Sequence, residues 1–104
     1  SSDGLADAIR IARGCSAHYA VVPASKGRGC GVHVLLHPDI SAEGLLKARF
    51  HAACIETSRT MDEEQWCAFR SILDGYGWNV EKCLLSSRLW RYDWMSSERA
   101  KKEC

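Results

Sequence analysis

The sequence has no CxxC pair, no HExxH, no GxSxG elbow, no phosphate loop ending in GK[ST], and no apolar run long enough to span a bilayer. Each absence removes a class of protein. Without paired cysteines the strong zinc signatures and the dithiol redox motifs are gone. Without the other three patterns, zinc-protease, hydrolase and nucleotide-triphosphate readings have no local support. Charge of one sign is also lacking: 14 basic side chains face 13 acidic ones, for a net charge of +1. No global field gathers polyanions or coats a membrane, so any nucleic-acid role has to come from a local patch. Nothing in the pattern of carboxylates separates a catalytic pair from ordinary helix-surface charge.

What is present suits one small domain. A chain of 104 residues with 46% apolar side chains hides roughly two-thirds of its unfolded surface on folding, enough for stability without obligatory crosslinks. Six cysteines are too few for a chain of this length to be a disulfide scaffold. Cys54, Cys67 and Cys83 fall inside helical patterns and read as reduced thiols packed like small hydrophobes. That usage and the lack of a membrane-spanning run make the cytoplasm the expected compartment, although the SSDG start leaves room for a removed leader.

Along the chain the apolar period changes twice. LADAIRIAR places Leu5, Ile9 and Ala12 on one helical stripe, with Ser2 or Asp3 as cap and Gly14 as stop. HYAVVPA and GVHVLLH are rich in β-branched residues and predict two strands, the first at a sheet edge because of Pro23. Two strands are marginal alone. They must lie on helices, gain a further strand, or pair with a second copy across an open edge, which would make a homodimer. Ser41 then caps a helix running to Thr57. Its wheel carries two apolar arcs: Leu46, Phe50, Ala53 and Cys54 on one side; Leu45, Ala48, Ala52 and Ile55 on the other. A helix apolar on two sides is expected between layers, so this one is read as central.

Thr60 and Glu63 form a capping-box pattern for the next helix. Trp66, Phe69, Ile72, Leu73 and Tyr76 make its single stripe, and GYGWN ends it. Asn79 caps a last helix reaching Met95, with Trp90 and Trp94 one turn apart. The expected fold is α+β, a single domain over residues 1–95 in the order α-β-β-α-α-α, the hairpin packed against helices. Residues 96–104 form a polar tail expected to fray.

Three functional readings follow, none involving catalysis with defined residues. The first is a small cytoplasmic protein-interaction or regulatory module, an inhibitor or adaptor, binding a protein partner through Trp90, Trp94, Arg91, Arg88 and Ser87. Tryptophan beside arginine is the chemistry of interface anchors. The second is a nucleic-acid-binding accessory protein. It would use Lys26, Gly27, Arg28 and Gly29 of the SKGRGCG loop, whose bare backbone and cations suit an anion, together with the Arg/Trp face of the last helix. The third is a thiol or zinc site. Cys30 beside those cations is the candidate reactive thiol. His51 and Cys54, three apart on a helix, could be joined by His33 or His37 as metal ligands. No cofactor and no membrane contact are expected.

Overall fold

The computed structural model describes residues 2–23, 32–55, 61–80, 82 and 91–92. Helix α1 (Ser2–Arg13) leads into strand β1 (Tyr19–Pro23). Then come β2 (Val32–Leu36), helix α2 (Ala42–Ala53), helix α3 (Glu63–Gly75) and a short strand β3 (Arg91–Tyr92). The class is α+β, as composition and periodicity predict. The glycine loop joining β1 to β2, with Lys26, Gly27, Arg28, Gly29 and Cys30, lies outside the described residues, as do Ser87, Arg88, Trp90 and Trp94.

The sheet is antiparallel with order β1-β2-β3. β1 pairs β2 with Tyr19 opposite Leu36 and Pro23 opposite Val32. The ladder continues one step further through the His37 amide, which donates to the His18 carbonyl at 2.8 Å. Alternation from that bond turns the even-numbered backbone groups of β1 toward β2 and the odd-numbered ones outward. Pro23, which has no N–H to offer, therefore points its nitrogen at the free edge, where the missing donor costs nothing.

That edge is closed by the segment after α1. The Ser16 amide donates to the Tyr19 carbonyl at 2.9 Å, and the Val21 amide donates to the Cys15 sulfur at 3.3 Å. The Cys15 thiol, itself buried, lies within reach of the Ile11 and Val21 carbonyls. Burial pushes this thiol up to about 11, with the Val21 backbone bond pulling the other way. It is a neutral plug for an edge strand, and pairing with a second copy along β1 is blocked at Tyr19 and Val21.

The other edge of the hairpin corrects the expected topology. Arg91 and Tyr92 do not continue a helix to Met95: they pair with Leu35 and Val34 as a third strand. The physical reason is the row of backbone donors and acceptors on β2, which a third strand satisfies and a helix cannot. Ahead of β3, helical conformation is seen at Val80 and Lys82. There the Asn79 side chain accepts from the Lys82 amide at 2.9 Å, the cap that the sequence suggests.

Both faces of the hairpin are covered. Ala20, Val21, Val22, Val32, Val34 and Leu35 are all buried, so simple in-and-out alternation does not apply. α2 packs against β1 and β2, while α1 packs against α3 and touches β1. One core results, running through Ile11, Ala12, Cys15, the strand residues, Ala48, Ala52, Ile55, Phe69, Leu73, Trp78 and Val80. On α1 the innermost residues are Ala8, Ile11 and Ala12, with Leu5 and Ile9 only half-buried. The buried face is thus rotated from the expected stripe.

α3 begins later than the Thr60 and Glu63 pattern implies. Its cap is Asp62, whose carboxylate accepts from the Gln65 amide at 2.8 Å, while the Gln65 side chain accepts from the Asp62 amide at 2.9 Å. This is the same reciprocal chemistry in a neighbouring frame. At the other end Gly77 adopts a left-handed φ of 92°. The Trp78 amide reaches back to the Leu73 carbonyl and the Gly77 amide to Asp74. Those two bonds define a Schellman stop, with the apolar pair Leu73 and Trp78 buried across it. The Trp78 indole then donates to the Ser16 carbonyl at 2.7 Å, tying the end of α3 to the segment that closes β1.

Candidate functional site

α2 decides where the candidate site lies. Ser41 caps it as expected, accepting from the Gly44 amide at 3.0 Å, and it ends at Ala53 with Cys54 as C-cap, short of Thr57. Ala48 and Ala52, with Ile55 beyond, face the core with 0–3% exposure. The opposite arc has no cover among the described residues. Leu46 is 65% and Phe50 74% exposed, and Ala53 and Cys54 are exposed beside them. The expectation of a helix sandwiched between layers is corrected: α2 has one layer beneath it and an apolar face above. Two small alanines on the inner face let the helix sit close to the sheet, with Leu45 half-buried, while Leu46 and Phe50 point away.

Leu46 and Phe50 are one turn apart and flank a groove of about 480 Å³ lined also by Gly14, Tyr19, Glu43, Lys47, His51 and Cys54. Three elements build it. α1 contributes the turn at Gly14, β1 contributes Tyr19, and α2 contributes the rest. Tyr19 is fixed by its hydroxyl, which donates to the Gly14 carbonyl at 2.9 Å. Its ring meets the His51 imidazole edge-on at 6.1 Å between centroids. Glu43 and Lys47 form an i,i+4 ion pair at 3.3 Å on the rim. Both are exposed, so the pair fixes orientation more than it adds stability.

His51 packs so closely on Gly14 that a Cβ at that position would collide with the ring's Nε2 and Cε1. Gly14 is needed for this close approach and not for a left-handed turn. The Nδ1 of His51 is buried without a hydrogen-bond partner. Burial lowers the basicity of the ring, and Arg10 on α1 lowers it further.

The other titratable residues are scattered. His18 and His37 meet edge-on at 5.3 Å, and His37 Nδ1 accepts from the Asp39 amide at 3.0 Å. His33 and His37 share one face of β2 by alternation, whereas Tyr19, which meets His51, projects from the other. The imagined set of His51, Cys54, His33 and His37 is therefore not brought together. Among the described residues no group of three His, Cys, Asp or Glu side chains converges as metal ligands would.

Cys67 is exposed on α3, and the Arg70 guanidinium donates to its sulfur at 3.7 Å. The same Arg70 lies 5.9 Å from the Trp66 ring, which stacks on Phe69. Arg91, expected on a helical arc with Trp90 and Trp94, has its backbone in β3 instead. The surface that the sequence analysis does not single out as a site is Leu46 and Phe50. Their signal is the second apolar arc of the α2 wheel, readable either as a second buried layer or as an open face.

Fold and surface together define a small α+β domain carrying an exposed apolar helix face. No protein-family model, curated protein or solved structure matches the chain. No helix among the described residues is long and apolar enough to cross a membrane.

Proposed function

We propose that this protein is a small interaction or regulatory module, an inhibitor or adaptor, that works by presenting the outer face of α2 to a partner protein. The observation that carries the reading is the exposure of Leu46 and Phe50 on a helix that buries Ala48 and Ala52 on its inner face. Two large apolar side chains one turn apart beside a groove suit the apolar face of a partner helix, anchored at successive turns. Isolated surface leucines mean little, but contiguous apolar chains around a concavity mark binding surfaces. The free thiols Cys15, Cys54 and Cys67 support a reducing, cytoplasmic setting.

The test uses a double variant, Leu46→Ser with Phe50→Ser. A partner is captured with the wild-type chain from its native host, identified, and remade in pure form. The expected result is that purified partner binds wild type and loses at least about tenfold in affinity for the variant, the consequence of removing one or two anchors. Equal binding by both chains removes the α2 face from the account. Self-association of the wild type that disappears in the variant replaces the partner with a second copy.

A further inference from the structure

The His51 ring occupies a position that favours its neutral form. Its Nδ1 is buried with no acceptor in reach, Gly14 is pressed against the Nε2 and Cε1 side, and the Tyr19 ring stands edge-on to it. A protonated imidazole has two N–H groups to satisfy, and this setting leaves one of them stranded. Among the described residues, the charged groups around it give no compensation. From α1 comes the Arg10 guanidinium, which opposes a second positive charge and is itself held by Asp7 at 2.7 Å. From β1 comes only the phenol of Tyr19. From α2 come Lys47 and Cys54, and the one carboxylate lining the groove, Glu43. Glu43 lies two turns away, about 12 Å along the helix axis, and is paired with Lys47.

We propose that His51 is an acid-sensitive latch: its neutral imidazole clamps the Gly14 turn against α2, and protonation expels the ring and opens the floor of the groove. The Gly14 turn leads directly into Cys15 and Ser16, which close the free edge of β1. Opening at Gly14 therefore loosens that closure before it disturbs α3. The direction in pH follows from linkage. The packed ring resists a proton that the released ring accepts, so between the released value near 6.5 and the lower packed one the open state binds more protons. The latch is complete above about pH 6.5 and weakens as pH falls below it. It stands whether or not a partner docks on α2.

The experiment follows amide exchange in the intact protein from about pH 7.5 to about 5.5, corrected for intrinsic exchange, in wild type and His51→Phe. Protection at Ser16, whose amide bonds Tyr19, is expected to fall on acidification. The fall should approach tenfold for each pH unit between the released and packed titration points, while Leu73 in the core of α3 keeps its protection. His51→Phe should show a much smaller fall at Ser16. Should that variant not fold, the His51 ring resonance of the wild type is titrated instead, with a midpoint below 6.5 expected. Equal loss at Ser16 and Leu73, an unchanged fall in His51→Phe, or a His51 midpoint at or above 6.5 each overturns the latch.

Discussion

α2 and α3 are built from similar material and use it in opposite ways. α3 gathers Trp66, Phe69, Ile72 and Leu73 on one stripe, buries Phe69 and Leu73 completely, and closes its start with a reciprocal side-chain box and its end with two backbone bonds. α2 places Ala48 and Ala52 against the sheet with Leu45 half-buried, and puts Leu46 and Phe50 outside. A helix that serves the core puts volume inward, because transfer and dispersion scale with the buried side chain. The contrast places stability on α3, and the outer face of α2 is the surface that the proposed function uses.

Substitutions can break or sharpen that contrast. The largest effect is expected at Phe69→Ala, which empties a fully buried ring site at the centre of the core and should cost about 3–5 kcal/mol in urea unfolding. A cost under 1 kcal/mol would mean that α3 is not the structural helix. Gly14→Ala comes next. Its new methyl group meets the His51 ring, and overpacking of this kind costs roughly 1–3 kcal/mol. Adding His51→Ala should recover most of that loss, a coupling measurable by a double-mutant cycle. Asp62→Ala removes the reciprocal cap of α3 and should cost about 1 kcal/mol, seen as a lower unfolding midpoint with unchanged denaturant slope. Smallest of all is the pair Leu46→Ser and Phe50→Ser, expected to stay within about 0.5 kcal/mol of wild type because both side chains are mostly solvated already.

Much of the fold was legible in local pattern. The two strands, the edge position forced by Pro23, the Ser41 cap and the stripe through Phe69 and Leu73 all follow from residue types within a few positions of one another. β3 was not legible. Arg91 and Tyr92 sit in a run with helical spacing, and only the open backbone of β2, more than fifty positions earlier, makes them a strand. The same holds for the Cys15 plug on Val21 and for the Gly14 and His51 contact, where no local period connects the partners. The α3 cap shows a milder failure, since TMDEEQ offers two overlapping capping frames and only the completed pair of bonds selects Asp62 with Gln65.

The candidate surface was half legible. Both apolar arcs of α2 can be drawn from its wheel, but amphipathicity says nothing of what lies above an arc. The sheet covers Ala48 and Ala52, and Leu46 and Phe50 have no counterpart among the described residues. In the sequence the tryptophan and arginine cluster is the stronger signal, because aromatic and cationic residues are typical anchors. The strand backbone of Arg91 takes that residue off the helical arc, while Ser87, Arg88, Trp90 and Trp94 lie outside the described residues.

The most direct test places a photo-reactive side chain at position 50 and, in a second sample, at Glu64, which is exposed on α3. Both chains are illuminated in extract from the native host, and the adducts are mapped by mass. The account predicts one dominant adduct from position 50, to a protein with an apolar helix face, absent from position 64 and lost when Leu46→Ser is added. Identical adducts from both positions, or none from position 50, would contradict it.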